Sequence, residues 1–166
     1  MTMLNEYRRT IGYSYLLYIV LTIPLSLFHE LGHTAVCVAG GFQFHIWIDY
    51  RGGHSICYGI FENNLVADAM GGIFGLLASL GILGIWYYFS KRFVVLAVVG
   101  LAFALDQGLK IILEGFFPRL YSAGIFDLLI TVLQIMSVAL FAIYFAREQK
   151  QGSERLSLSK ELRSDT

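Results

Sequence analysis

Four long apolar segments constrain the fold of this chain more than any other feature of its sequence. A bilayer core of about 30 Å is spanned by about 20 helical residues, and each segment has at least that length. The chain is 57% hydrophobic and 14% charged, whereas soluble domains are about a quarter charged. The sequence therefore predicts an all-α, multi-pass membrane protein with about four transmembrane helices. These helices are expected at about residues 11–40, 64–89, 93–113 and 123–146.

The lysines and arginines are unevenly divided between the two sides that four helices would define. Nine of the twelve lie near the N-terminus, in the 89–92 turn or in the polar tail, and three lie on the opposite side. Positive charge marks the cytoplasmic face, so we predict that both termini are cytoplasmic. We expect residues 1–146 to form the transmembrane domain and residues 147–166 to be a cytoplasmic tail that is disordered or a surface helix. The net charge of zero gives no indication of a nucleic-acid partner.

Two histidines and a glutamate lie near the end of the first apolar segment, in the sequence His29-Glu30-Leu31-Gly32-His33. On a helix, residues four apart share a face, so both imidazoles can bind one metal ion. Glu30 is turned by about 100° from His29 and can reach a metal-bound water as a general base. This arrangement predicts a hydrolytic Zn²⁺ site. The alternative is a helix end at which three ionisable groups merely reach the membrane interface.

This motif resembles that of the site-2 protease family, the intramembrane zinc metalloproteases. The sequence "FHELGH" (28–33) is followed by a hairpin-like segment (40–61), a small-residue helix start in "ADAMGGIFG" (67–75) and a Leu-Asp-x-Gly element in "LDQG" (105–108). The resemblance implies an endopeptidase that hydrolyses peptide bonds of membrane-protein substrates. It also implies a cytoplasmic-facing site, whereas the charge distribution indicates the opposite face. The chain departs from the family in its Gly71-Gly72 pair, in the absence of an upstream asparagine, and in having no inserted peptide-binding domain.

A catalytic zinc site has a third protein ligand beside the two histidines. Asp106 matches the histidines in depth along its helix as well as in motif, and we predict it as that ligand. The alternative for Asp106 is an ion pair with Lys110, one helical turn later. Two further candidate ligands remain open, Asp127 at the start of the fourth helix and His54 after a Gly-Gly turn.

The segment between the first two helices reads as two short strands around a Gly-Gly turn. Residues 42–50, "FQFHIWIDY", alternate enough to offer a strand edge to an extended substrate. We expect Phe44, Ile46 and Ile48 to contact substrate there, together with Gly71 and Gly72 near the zinc.

Cys37 and Cys57 are the only cysteines. Both fall toward the same end of the predicted helices, so one disulfide is an option, but we predict two buried free thiols. Cys37 also continues the face of the two histidines, although a buried thiol is the favoured interpretation.

Two other classes of function are also compatible with the sequence. The short chain and the missing asparagine are also compatible with a catalytically inactive, protease-like subunit of a larger membrane complex. The histidines are also compatible with another metal or a cofactor such as haem.

Overall fold

The computed structural model describes residues 3–49, 52–59, 65–89, 93–122, 124 and 126–164, without the side chains of residues 3–6, 122, 127 and 153–164. Its elements are α1 (Met3–Ala39), β1 (Phe44–Asp49), β2 (Gly52–Cys57), α2 (Leu65–Tyr88), α3 (Val94–Phe116), α4 (Pro118–Ser122) and α5 (Asp127–Ser164). The predicted fold class is confirmed, because four long apolar helices carry one antiparallel hairpin between the first and the second.

Four helices in the described part of the chain are long and apolar enough to cross a membrane. The apolar spans are Tyr7–Ala39, Leu65–Tyr88, Val94–Phe116 and Leu128–Gly152. The third helix runs three residues beyond its predicted end at Leu113, so Glu114 lies inside it. The last helix continues through residue 146 without a break as far as Ser164, so the described part of the polar tail is helical.

Helices α1, α3 and α5 share an apolar core. Val98 and Ala102 of α3 pack against Val138 and Ala142 of α5, and all four side chains are almost fully buried. Tyr18 of α1 stacks on Phe103 of α3 with ring centroids 4.2 Å apart. This packing fixes the face that α3 presents to α1.

Helices α1 and α2 approach closely where two glycines meet. A Cβ atom added to Gly32 would lie 2.3 Å from the carbonyl oxygen of Met70 and 2.9 Å from the Cα of Gly71. Small residues permit such backbone approach between membrane helices. The crossing therefore brings the start of α2 directly onto the histidine-bearing turn of α1.

The hairpin lies against α1 through its second strand. Strand β1 pairs antiparallel with β2, with Phe44 opposite Cys57 and Asp49 opposite Gly52. The backbone N–H of Gly53 donates to Ser26 Oγ of α1 at 2.7 Å. Strand β2 is therefore attached to the helix that carries the histidines.

Cys37 and Cys57 form a disulfide, so the prediction of two free thiols was wrong. The antiparallel hairpin returns the chain to the end of α1, which brings the two Cα atoms to 5.8 Å, within the range that a disulfide spans. The bond joins the end of α1 to the end of β2 and holds the hairpin over that end of the helix.

Candidate metal centre

Two imidazoles and one carboxylate converge between α1 and α3. His29 and His33 project from successive turns of α1, and Glu114 projects from the last turn of α3. His29 Nε2 lies 3.3 Å from Glu114 Oε1, and His33 Nε2 lies 3.7 Å from Glu114 Oε2. One potential ligand atom from each residue lies within 4.8 Å of the others. A tetrahedral ion with bonds of about 2.1 Å has ligand atoms about 3.4 Å apart, so the group matches the size of a zinc site.

The burial of Glu114 makes this space a candidate site for a cation. The residue is only 6% exposed, and its Oε2 atom is buried without a hydrogen-bond partner. A carboxylate oxygen that is buried in an apolar bundle without a hydrogen bond is costly. A divalent cation held by this oxygen and the two imidazoles would remove that cost.

The second nitrogen of each imidazole is already engaged by an oxygen acceptor. His29 Nδ1 lies 2.9 Å from Gln107 Oε1, and His33 Nδ1 lies 3.0 Å from the carbonyl oxygen of Ala67. An oxygen acceptor requires that Nδ1 carry the proton, which leaves the Nε2 lone pair directed at Glu114. Lone pairs of an imidazole and a carboxylate repel one another unless a proton or a metal ion lies between them. Metal-binding histidines in proteins have this same outer hydrogen bond.

Gly71 of α2 keeps the space beside the imidazoles open. A Cβ atom at this position would lie 2.3 Å from His33 Nε2 and 2.6 Å from His29 Nε2. Both atoms are the proposed metal ligands, so any side chain at Gly71 would stand where the ion is expected. The close crossing of α1 and α2 thus shapes the site as well as packing the helices.

Glu30 and the metal-binding group face one cavity of about 410 Å³. Glu30 Oε2 accepts a hydrogen bond from Ser55 Oγ of β2 at 2.5 Å, which holds the carboxylate toward the cavity. The walls combine residues of α1, the hairpin, α2, α3 and α4: His29, Glu30, His33, Thr34, Cys37, Phe44, Ser55, Ile56, Cys57, Asp68, Glu114, Pro118 and Tyr121. The Glu30 carboxylate, the three candidate ligand groups and an apolar wall therefore share one space.

Asp106, the predicted third ligand, is not brought to the histidines. It lies eight residues before Glu114, or about 12 Å along the helix axis. Its carboxylate accepts hydrogen bonds from the side-chain amides of Gln107 and Gln134 and pairs with Lys110 Nζ at 3.2 Å. The ion pair with Lys110 is the alternative that the i to i+4 spacing also predicted.

The other candidate ligands lie elsewhere or are not described. His54 Nε2 pairs with Asp49 Oδ1 at 3.0 Å, and its ring stacks on Trp47, so it faces its own hairpin. Cys37 is committed to the disulfide. The side chain of Asp127 lies outside the described residues.

The predicted substrate-contacting residues occupy three different settings. Phe44 lines the cavity, and Ile46 and Ile48 follow it along β1. Gly71 lies against the imidazoles. Gly72 instead packs on α3, where a Cβ would lie 2.7 Å from Ile111 Cγ1.

Three residues of this site were missed by the sequence interpretation: Glu114, Gln107 and Ser55. For Glu114 the sequence carries one signal, because this acidic residue directly follows the third apolar segment, at the end that lies on the same side as the end of the first segment. No local sequence pattern marks Gln107 or Ser55, since each belongs to the site only through a hydrogen bond to a residue of α1.

No protein-family model, curated protein or solved structure matches this chain.

Proposed function

We propose that this protein is an intramembrane zinc endopeptidase that hydrolyses peptide bonds of membrane-protein substrates. The observation that supports this most is the convergence of His29, His33 and buried Glu114 beside Glu30 in one cavity. Hydrolytic zinc sites use two imidazoles and one carboxylate as metal ligands, and a second carboxylate that does not bind the metal as the general base. The site lies between helices that are long and apolar enough to cross a bilayer.

Each residue of the site has a separate task in this proposal. His29, His33 and Glu114 would hold Zn²⁺, which lowers the pKa of water to about 7 and polarises a carbonyl group when bound. Glu30 accepts a proton from the water whose oxygen attacks the peptide carbonyl carbon. When the C–N bond breaks, Glu30 delivers that proton to the leaving amine. Ser55 orients Glu30 through its hydrogen bond.

Strand β1 offers an edge along which an extended substrate can pair. Tyr58 N–H donates to the carbonyl oxygen of Gln43, which makes these two directly opposed residues a hydrogen-bonded pair. Such pairs alternate along an antiparallel ladder, so the backbone groups of Ile46 and Ile48 point away from β2. Their outward N–H and C=O groups form a short edge that continues from Phe44 at the cavity wall.

An extended partner on this edge would satisfy a chemical requirement of the reaction. A peptide bond in a helix is shielded by its own turn, so an unwound segment must be held open beside the metal. Addition of a strand supplies main-chain hydrogen bonds without demanding a particular sequence. We therefore place the substrate on β1, with its scissile bond at the cavity.

Two observations favour an extracytoplasmic-facing cavity in this proposal. The side that carries the hairpin has three of the twelve lysines and arginines, and positive charge marks the opposite, cytoplasmic side. The Cys37–Cys57 disulfide lines the cavity, and disulfides persist in oxidising compartments. Both observations agree with cytoplasmic termini.

The test uses purified protein in liposomes with a panel of single-pass membrane segments as substrates. The wild type should cleave at least one segment within the membrane, and Glu30→Gln should bind zinc but give no cleavage. An inactive assembly subunit gives a different result. The wild type then cleaves none of the segments, and Glu30→Gln reduces the amount of a partner complex that co-purifies from membranes.

A further inference from the structure

We propose that Asp106 and Gln107 are positioning residues that fix His29 as a metal ligand through its Nε2 atom. This inference rests on the proposed function, because it concerns how the same metal centre is oriented. It gives Asp106 a role that is neither that of a ligand nor that of a simple ion-pair partner.

A chain of hydrogen bonds links α5 to His29 of the candidate metal centre. Gln134 Nε2 of α5 donates to Asp106 Oδ1 at 2.7 Å, and Gln107 Nε2 donates to Asp106 Oδ2 at 2.9 Å. Gln107 Oε1 then lies 2.9 Å from His29 Nδ1. Three helices thus contribute to one chain of hydrogen bonds that ends at a proposed ligand.

The carboxylate of Asp106 determines the orientation of the Gln107 amide. An ionised carboxylate only accepts hydrogen bonds, and the Asp106 carboxylate also forms an ion pair with the Lys110 ammonium at 3.2 Å. The NH₂ group of Gln107 must therefore face Asp106, which leaves its oxygen facing His29. That oxygen requires a proton on His29 Nδ1, and Nε2 remains free to bind metal.

Burial and close packing prevent the Gln107 side-chain amide from rotating by 180°. Asp106 and Gln107 are 3% and 2% exposed, so no solvent replaces a lost partner. Gly75 of α2 provides the space that the amide occupies, since a Cβ there would lie 2.1 Å from Gln107 Oε1. A buried polar network of this kind is costly unless every member is satisfied, and its end point at His29 explains its presence between apolar helices.

A matched pair of variants separates orientation from general structural support. Gln107→Met and Gln134→Met each remove one amide hydrogen bond to Asp106 and keep similar size and helix propensity. Only Gln107→Met also removes the acceptor of His29. We expect Gln107→Met to weaken Zn²⁺ binding by about 10- to 100-fold, measured by competition with a chelator in detergent. The loss in Gln134→Met should be at least several-fold smaller. Equal losses in both variants, or no loss in Gln107→Met, would overturn the proposal.

A measurement on the wild type tests the same inference without any variant. ¹⁵N-histidine NMR of the Zn²⁺-loaded protein in micelles should show His29 with its proton on Nδ1 and its metal on Nε2. Metal on Nδ1 would contradict the inference. If the protein binds Zn²⁺ in this way but cleaves no substrate, the proposed function fails and the positioning role stands. If it cleaves with unchanged affinity in Gln107→Met, the positioning role fails and the function stands.

Discussion

His29 of α1 and Glu114 of α3 face one another at 3.3 Å inside a bundle of apolar helices. Both are almost fully buried, and one carboxylate oxygen of Glu114 has no hydrogen-bond partner. This relationship defines the candidate metal centre, because an imidazole lone pair and a carboxylate repel one another unless a proton or a metal ion lies between them.

The identity of the third ligand can be tested by comparing two acidic residues of α3. Glu114→Gln removes the charge that faces both imidazoles and should weaken Zn²⁺ binding by more than 100-fold. Asp106→Asn changes a carboxylate that lies about 12 Å from Glu114 along the helix axis, and it should weaken Zn²⁺ binding by less than about tenfold. The measurement is zinc affinity by chelator competition. The opposite order of losses would restore Asp106 as the ligand.

Gly71 should tolerate no side chain. Gly71→Ala places a methyl group within 2.6 Å of both ligand nitrogen atoms, so the variant should lose stoichiometric zinc. Gly81→Ala is the matched control, because it lies on the same helix and a Cβ there meets nothing within 4 Å. Elemental analysis of the two purified proteins makes the comparison. Full zinc in Gly71→Ala would show that the ion is bound elsewhere.

The hydrogen bond from Ser55 to Glu30 should affect catalysis and leave metal binding unchanged. Ser55→Ala frees the Glu30 carboxylate, so we expect kcat to fall by about tenfold, a part of what a positioned base contributes. Thr22→Ala removes a hydroxyl hydrogen bond to the carbonyl oxygen of Tyr18 on α1, at a position that does not line the cavity, and should keep full kcat. Turnover and bound zinc are measured on both variants. A zinc loss in Ser55→Ala that matches its activity loss would count against the assigned role.

The outward edge of β1 predicts a specific effect of proline. Ile46→Pro and Ile48→Pro each remove an N–H that points away from β2, so the hairpin should persist while substrate pairing is lost. Cleavage should fall to background with zinc still bound. Ile46→Ala and Ile48→Ala keep the N–H and should retain most of the activity. Unchanged turnover in the proline variants would place the substrate elsewhere.

The disulfide between Cys37 and Cys57 should stabilise the hairpin and report its compartment. Its loss in the Cys37→Ser/Cys57→Ser double variant should lower the free energy of unfolding by about 2–4 kcal/mol, measured by chemical denaturation in micelles. The wild type isolated from cells without reductant should contain no reactive thiol. Two titratable thiols in that protein would contradict both the bond and the proposed extracytoplasmic side.

Hydropathy predicted the four apolar helices, and the alternating segment predicted two short strands, because both are local properties of the sequence. The Gly-Gly pair was wrongly placed in a turn, since Gly52 and Gly53 lie in β2 opposite Asp49 and Ile48. The candidate third ligand, Glu114, could not be predicted in this way. Which face of α3 meets α1 depends on packing around Phe103 and Val98, and a predicted helix end at Leu113 left Glu114 outside the helix. The pairing of two cysteines likewise cannot be read from their spacing.

The amount of zinc bound per chain tests the central claim most directly. Elemental analysis of the wild type, purified without chelators, should give about one zinc per chain, and the His29→Ala/His33→Ala double variant should give none while remaining helical by circular dichroism. A well-folded wild type that holds no zinc after incubation with excess Zn²⁺, or a double variant that binds as much zinc as the wild type, would contradict the account.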